Sequence, residues 1–187
     1  MKDQIKLFIF IPTFNRPNGL TRQLKVLAPQ LEKYKNHTRL IVCDNNSDGS
    51  HYEALQKKYQ AFGNINFVSN FGNIGGNANI SLGFVYAKPN EFLWILSDND
   101  LVRRDALKII LEHSSMKADF ILMNYEVDKP SYKKHYWSDG WKKPINWRMG
   151  LISATLFNTN SIKNSVKEAF FYHNSSFPHL AVGCAAA

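Results

Sequence analysis

Residues 92–102 of the chain read Phe92-Leu93-Trp94-Ile95-Leu96-Ser97-Asp98-Asn99-Asp100-Leu101-Val102. The first half of this stretch is an apolar run with the length of a buried strand, and the run stops at two carboxylates that flank an amide. Strands buried on both faces are typical of parallel sheets that are covered by helices. The pattern therefore predicts an interior strand whose carboxyl end carries Asp98 and Asp100.

Two carboxylates this close together repel each other and resist the loss of water, so a neighbouring cation lowers their cost. Oxygen ligands suit Mg²⁺ or Mn²⁺, which keep several waters and take further ligands from substrate phosphates. In an extended strand Asp98 and Asp100 share one face, whereas a turn would separate them. The alternative is a surface turn that caps the next helix, since Asp and Asn favour turns and N-caps. The spacing alone leaves both interpretations open.

Composition predicts one domain. The chain has 187 residues, 44% of them hydrophobic, and its apolar runs are far shorter than a membrane span. Residues 1–4 lead into a strand-like segment rather than a signal peptide, and Cys43 and Cys184 are too few for a disulfide framework, so we expect a soluble, cytoplasmic protein. The net charge of +8 suits an anionic substrate or an anionic membrane surface. No nucleic-acid-binding signature accompanies it, so no nucleic-acid partner is expected.

Apolar runs alternate with helical periodicity along the first two thirds of the chain. Strands are predicted at residues 5–11, 40–43, 65–68, 92–96 and 120–123, and helices from residue 19 and at 52–62, 78–87 and 106–113. Pro12 should end the first strand, and Pro29 should kink or stop the first helix. This order predicts a mostly parallel sheet with both faces covered, whose ligands bind beyond the carboxyl ends of the strands.

The last third departs from this alternation. Residues 129–148 are rich in Lys and aromatic residues, which could stack on sugars, contact lipid headgroups or belong to the core. A strand is predicted at 151–157, a helix at 161–170 and a tail at 172–180. The final run Ala185-Ala186-Ala187 leaves open whether the chain is truncated there.

Two further polar loops follow strands. The loop at 44–49 resembles the start of a calcium loop, but its twelfth position is Leu55 rather than Glu, and a strand precedes it. Asp44 could instead accept a hydrogen bond from a nucleobase or ribose, or close an Asx turn. The loop Asn73-Ile74-Gly75-Gly76-Asn77 would expose amides to an anion at a helix start, although it is neither a Walker loop nor a dinucleotide fingerprint.

Together these motifs resemble the family 2 glycosyltransferases. The match runs through residues 8–17, the loop from Asp44, the glycine loop at 73–79 and the acidic strand end at 94–100, in the family's order and spacing. The resemblance implies a GT-A type, Rossmann-like α/β/α sandwich with a mostly parallel central sheet. Residues 1–128 would form the nucleotide-sugar-binding part of a single domain, and residues 129–187 the acceptor side.

The resemblance also implies roles for individual residues. Pro12, Thr13 and Phe14 would border the nucleoside, and Asp44 would hold the base. Asp100 would be the direct metal ligand, with Asp98 nearer the ribose or sugar. The full set that the resemblance implies for the donor is Pro12, Thr13, Phe14, Arg16, Asp44, Asn73, Gly75, Asp98 and Asn99, and the set for the metal is Asp98 and Asp100.

Two departures from the family pattern stand out. Many members carry Arg before the Asn that ends the glycine loop, where this chain has Ala78. Inverting members also place an acidic general base well after the metal motif, and the last third of this chain has no acidic pair. Asp139 and His179 are the candidates for the base, although a His after a proline also suits a structural role. The base could also lie outside the chain.

The resemblance implies a glycosyltransferase of the hexosyltransferase type, which uses Mn²⁺ or Mg²⁺ and a nucleotide-diphosphate sugar, with a UDP-sugar expected. The acceptor hydroxyl would belong to a saccharide or lipid-linked saccharide in surface polysaccharide or glycan synthesis. Contact with the inner face of an anionic membrane is a further expectation. The alternatives are a catalytically silent sugar-nucleotide or glycan-binding module and a sugar-phosphate nucleotidyltransferase, whose basic, glycine-rich first loop is missing here.

Overall fold

The computed structural model of the chain describes residues 6–114, 117–123, 132–135, 150–175 and 177–186, with the backbone alone for 132–135. The strands are β1 (Lys6–Thr13), β2 (Thr38–Asp44), β3 (Ile65–Ser69), β4 (Glu91–Ile95), β5 (Phe120–Met123), β6 (Tyr132–His135) and β7 (Thr155–Asn158). The helices are α1 (Pro17–Lys33), α2 (His51–Tyr59), α3 (Gly76–Tyr86), α4 (Ala106–His113), α5 (Thr159–Ile162), α6 (Val166–Phe171) and α7 (Pro178–Ala186). No helix among these residues is long and apolar enough to cross a membrane.

The strands form one sheet in the order β3-β2-β1-β4-β7-β5-β6. Strands β1 to β4 are parallel to their neighbours, whereas β7 runs antiparallel between β4 and β5, and β6 is antiparallel to β5. Five strands therefore point the same way, and the prediction of a mostly parallel sheet is confirmed. The carboxyl ends of β1 to β4 share one edge of the sheet.

Side chains of β1 alternate between two cores. Leu7, Ile9 and Ile11 pack with α1, α2 and α4 on one face of the sheet, and Phe8 and Phe10 pack with α3, α5, α6 and α7 on the other. This alternation follows from the two-residue period of a strand. The sheet thus lies between two helical layers, as predicted.

Both prolines lie inside their elements, so Pro12 does not end β1 and Pro29 does not stop α1, contrary to those two predictions, whereas a kink at Pro29 stays a prediction. Pro12 pairs in register with Cys43 on β2, and it lies where the pairing of β1 with β4 stops, because the last partners are Phe10 and Ile95. The N–H of Leu96 still donates to the carbonyl of Phe10 (2.9 Å), so the missing N–H of Pro12 falls at the end of this strand pairing. Pro29 leaves the carbonyl of Lys25 without its helical donor, but both residues are exposed, so water can hydrate that carbonyl.

The last third also differs from prediction. A 3₁₀ turn at Ile152–Ala154 precedes β7, so the strand starts four residues later than expected. The helix predicted at 161–170 is broken into α5 and α6. The predicted tail ends in a helix, because α7 begins at Pro178. Of the basic, aromatic segment, only the β6 backbone is described, and Asp139 lies outside the described residues.

Candidate functional site

Hydrogen bonds continue the sheet beyond its strand ends and join three loops. The N–H of Asn45 donates to the carbonyl of Thr13 (2.9 Å), and the N–H of Asn70 donates to the carbonyl of Asp44 (2.9 Å). The loops that follow β1, β2 and β3 are therefore held side by side. The predicted donor residues on these loops lie at the same edge of the sheet.

Asp98 is nearly buried just beyond β4, and its Oδ2 accepts a hydrogen bond from the Thr13 hydroxyl (2.8 Å). Burial raises the pKa of this carboxyl above its usual range, and the charge of Asp100 adds to the rise. The Thr13 hydrogen bond and the Arg16 guanidinium act in the opposite direction by favouring the charged form. Thr13, Arg16 and Asp100 thus all act on the carboxyl of Asp98, Thr13 through a hydrogen bond and the other two through their charges.

Helix α1 fixes the backbone of residues 96–105, between β4 and α4, which we call the acidic loop. A Cβ on Gly19 would lie 2.6 Å from the carbonyl oxygen of Asp98, so only glycine allows this approach. One turn later, the side-chain amide of Gln23 donates to the carbonyl of Ser97 (2.7 Å). The loop is therefore held by a close backbone contact and by a hydrogen bond from one helix face.

Two more polar side chains hold the acidic loop and the elements on either side of it. Ser153 accepts from the N–H of Ser97 at its hydroxyl (2.9 Å) and from the indole of Trp94 at its carbonyl (2.8 Å). Gln30 accepts from the N–H of Leu107 (3.0 Å) at the start of α4. Ser153, Gln30 and Gln23 were not predicted as site residues from the sequence. The signal for the glutamines is their seven-residue spacing, which puts both on the apolar face of α1.

Asp44 closes its own loop, as the structural alternative from the sequence expected, but its bond reaches three residues on rather than the two of an Asx turn. Its side chain is buried and accepts from both the N–H of Ser47 (2.9 Å) and the Ser47 hydroxyl. These contacts close the loop between β2 and α2. A contact between Asp44 and a nucleobase stays a prediction.

A clamp between two loops frames a cleft beside Asp44. The N–H of Asn15 donates to the Ser47 hydroxyl (2.8 Å), and the N–H of Asp48 donates to Asn15 Oδ1 (2.8 Å). Asn15 has a φ of 52°, a left-handed conformation that Asn tolerates better than most residues. The cleft is open to solvent, and its wall includes Arg16, Asp44 and His51.

Four asparagines tie the glycine loop to the end of β2. Asn45 donates to Asn73 Oδ1 (2.8 Å), and its own Oδ1 accepts from Asn70 (2.9 Å). Asn70 also donates to Asn79 Oδ1 (3.0 Å), and Asn79 donates to the carbonyl of Cys43 (3.1 Å). We call Asn45, Asn70, Asn73 and Asn79 the amide network. It brings the predicted Asn73 and Gly75 to the edge that carries Asp44.

The remaining predicted residues have different surroundings. Phe14 and Asn99 are exposed, and Pro12 is half-buried. His179 is buried in the first turn of α7, with its ring edge-on to Phe177 at 6.1 Å between centroids. Its role as a base stays a prediction.

The acidic pair fits a metal that is shared with a ligand. Within the described ranges, no group of three or more His, Cys, Asp or Glu side chains is placed to hold a metal ion. Asp98 and Asp100 offer oxygen ligands alone, and one Asp98 oxygen already accepts from Thr13. A Mg²⁺ ion bound by one or two carboxylates and by substrate phosphates needs no third protein ligand.

Comparisons with known proteins agree with this geometry. The family model described as "Glycosyl transferase family 2" matches residues 8–178. A comparison with curated proteins finds no match to this chain.

Solved structures of TarS from S. aureus share the fold. Residues 1–349 of TarS match with a TM-score of 0.62 and 19% identity, over 86% of this chain and 49% of that one. The same part of TarS in complex with UDP matches with a TM-score of 0.64 and 18% identity, over 95% and 54%. The complex with UDP-GlcNAc matches with a TM-score of 0.58 and 19% identity, over 86% and 47%. The chain thus spans about half the length of these structures, and the predicted fold class is confirmed.

Proposed function

This chain belongs to glycosyl transferase family 2, and on that premise we propose that it transfers a sugar from a nucleotide-diphosphate donor to an acceptor hydroxyl. The observation that carries the proposal is the buried carboxylate of Asp98, hydrogen-bonded to Thr13 and next to Asp100 at the carboxyl edge of the sheet. Ligands of open α/β sheets bind at this edge. The chain covers about half of each TarS structure, so the activity of the whole protein is part of the proposal.

The nucleoside end of the donor would occupy the loops after β1 and β2. The exposed ring of Phe14 is available for stacking on a base, and Arg16 and Asp44 line an open cleft beyond the same strand ends. TarS has been solved with UDP and with UDP-GlcNAc, which supports a uridine diphosphate donor for this chain. We therefore propose a UDP-sugar as the donor.

The diphosphate would lie between the acidic loop and the glycine loop. Asp100, assisted by Asp98, would hold Mn²⁺ or Mg²⁺ together with the phosphates. When bound, such an ion offsets the negative charge that develops on the leaving diphosphate. Arg16 lies near enough to Asp98 to lower its pKa, so we propose Arg16 as the basic residue that compensates for Ala78 in the glycine loop.

The acceptor would be a saccharide or lipid-linked saccharide in surface polysaccharide or glycan synthesis, met at the cytoplasmic face of an anionic membrane that suits the net charge of +8. Asp139 and His179 stay the candidates for the general base. A base that removes the proton from the acceptor hydroxyl, opposite the leaving diphosphate, would give inversion at the anomeric carbon.

The test is the binding of UDP and UDP-GlcNAc to the purified chain with and without Mn²⁺, measured by calorimetry and by thermal shift. Ligand binding to the native state raises the melting temperature by mass action. We expect metal-dependent binding that Asp100→Asn abolishes. Glu112→Gln, which changes an exposed acid on α4, is the matched control and should bind like the wild type.

Absence of nucleotide binding under every metal condition would contradict the proposal. Release of free sugar from the donor, or its transfer to a saccharide, would support enzymatic activity directly. Metal-dependent binding without either reaction, in the presence of acceptor saccharides, would favour the silent binding module instead.

A further inference from the structure

Two backbone groups determine which way the side chains of Asn45 and Asn73 face. A backbone N–H can only donate, so the N–H of Ile74 (3.0 Å) must meet the oxygen of Asn45. The Asn45 amide nitrogen then faces Asn73. The N–H of Gly75 (2.9 Å) must likewise meet the oxygen of Asn73, which also accepts from Asn45 (2.8 Å). The NH₂ group of Asn73 is thereby directed away from both.

The buried half of the amide network holds Asn45 in this orientation. Asn45 and Asn79 are only 1% and 2% exposed. Asn70 bridges them by donating to both oxygens (2.9 and 3.0 Å), and Asn79 is fixed by its bond to the Cys43 carbonyl (3.1 Å). Rotating the Asn45 amide would break several buried hydrogen bonds at once, and buried polar groups without partners are costly.

The exposed half of the network ends at a pair of N–H donors. Asn73 is exposed, and no residue in the described part of the chain accepts from its NH₂ group. Gly75 beside it has a φ of 88°, and both glycines that open α3 are exposed. Two outward donors beside exposed backbone suit the oxygens of a phosphate or a sugar hydroxyl.

We infer that Asn45 is a positioning residue, which orients the Asn73 amide so that its NH₂ group donates to the diphosphate of the nucleotide-sugar. This inference rests on the proposed function. Asn45 contacts no substrate in this account and acts through Asn73. It gives the glycine loop a neutral, oriented donor on the side where Ala78 offers no charge.

Two substitutions test the hydrogen-bond donor of Asn73 and the Asn45 side chain that orients it. Asn73→Asp keeps an oxygen for Asn45 and Gly75 but replaces the outward NH₂ group with a second oxygen. Asn45→Asp keeps an acceptor for Ile74 and Asn70 but cannot donate, so the Asn73 amide must turn over to donate to it. The outward donor is lost in both variants, although the network is intact in the first.

The matched control is Asn46→Asp, which makes the same chemical change one residue away. Asn46 is exposed and has a φ of 66°, a conformation that Asp tolerates as Asn does. It adds the same negative charge to the same loop, so it measures the long-range effect of that charge on the diphosphate. Asn73→Ala, alone and combined with Asn45→Asp, shows whether Asn45 acts through Asn73.

The measurement is the dissociation constant for UDP with Mn²⁺ by calorimetry, together with the melting temperature. We expect Asn73→Asp and Asn45→Asp to weaken binding about tenfold relative to Asn46→Asp, which is the effect of losing one hydrogen bond to a charged group. Asn73→Asp should melt like the wild type. In the Asn73→Ala background, Asn45→Asp should weaken UDP binding no more than Asn46→Asp does.

Normal UDP binding by Asn45→Asp or by Asn73→Asp would overturn the inference and leave the proposed function standing. Equal losses of binding with and without the Asn73 side chain would also overturn it, because Asn45 would then act by another route. A wild-type chain that binds no nucleotide would overturn the inference together with the proposed function.

Discussion

Replacing Gly19 with alanine should loosen the acidic loop and destabilise the fold. The added Cβ would lie 2.6 Å from the carbonyl oxygen of Asp98, and such contacts essentially never occur below 3.0 Å. The neighbouring atom is backbone, so no flexible side chain can move away. Helix α1 and the loop must separate by about 0.4 Å or more for the Cβ to fit.

The magnitude follows from two opposing effects. Alanine is favoured over glycine inside a helix by about 1 kcal/mol. Overpacking a well-packed contact costs about 1–3 kcal/mol. We expect a net loss of up to about 2 kcal/mol in the free energy of unfolding. The separation also lengthens the Gln23–Ser97 bond, now 2.7 Å, and the Thr13–Asp98 bond, now 2.8 Å, so UDP binding should weaken.

Urea denaturation measures the free energy of unfolding, and calorimetry measures UDP binding. Gly63→Ala is the matched control, because a Cβ there meets no atom within 4 Å and the backbone does not have a positive φ. A Gly19→Ala protein that is as stable as Gly63→Ala and binds UDP normally would refute the argument that this close contact positions the acidic loop.

Three further predictions concern single side chains. Burial raises the pKa of Cys43 from 9.0 to about 12. The unfolded thiol therefore ionises first as pH rises, and Cys43→Ser should remove about 2 kcal/mol of the stability lost between about pH 8 and about pH 10.5 in urea titrations. Arg39→Ala should cost about 3 kcal/mol in the same assay, because it leaves the buried carboxylate of Glu91 without its two guanidinium bonds of 2.7 and 2.6 Å. Thr13→Val should raise the pKa of Asp98 further, so metal-dependent UDP binding should be lost at a higher pH than in the wild type when the solution is acidified.

Each of these three predictions has a control variant or an outcome that would contradict it. Cys184→Ser removes an exposed thiol and should leave more of the alkaline loss in place than Cys43→Ser does. Lys108→Ala breaks an exposed pair of 3.9 Å and should change stability by less than about 1 kcal/mol. An Arg39→Ala protein as stable as Lys108→Ala would contradict the importance of the buried pair. UDP binding by Thr13→Val that matches the wild type at every pH would contradict the role of its hydroxyl.

Sequence patterns predicted the parallel part of the fold because burial and periodicity coincide there. Apolar runs at β1, β2 and β4 have the length of strands, and leucines at helical spacing mark α1. The strand end at Pro12 and the helix stop at Pro29 were predicted wrongly, because the effect of a missing N–H depends on where it falls in the strand pairing or on the helix surface, which the sequence does not contain. The break between α5 and α6 was missed for a related reason, since short helices depend on packing more than on propensity.

Site residues were predictable from the sequence where a carboxylate follows the apolar run of a strand. Asp98 follows an apolar run, so its place at the sheet edge could be expected, but its bond to Thr13 joins residues 85 positions apart. Gln23 was missed because a polar residue on a helix usually faces water. Asn45 and Asn79 were missed because single asparagines resemble ordinary loop residues until their partners are known.

The amide network has a consequence for how the site responds to its solvent. Its four asparagine side chains carry no charge and do not titrate, and the thiol that touches them, Cys43, has a pKa raised to about 12. Neither ionic strength nor pH near neutrality alters its pattern of donors and acceptors. Any sensitivity of ligand binding to salt or acid should therefore arise at Arg16, Asp98 and Asp100, which bear charge. One part of the site thus keeps the same hydrogen-bonding pattern across these conditions, and the other part responds to them.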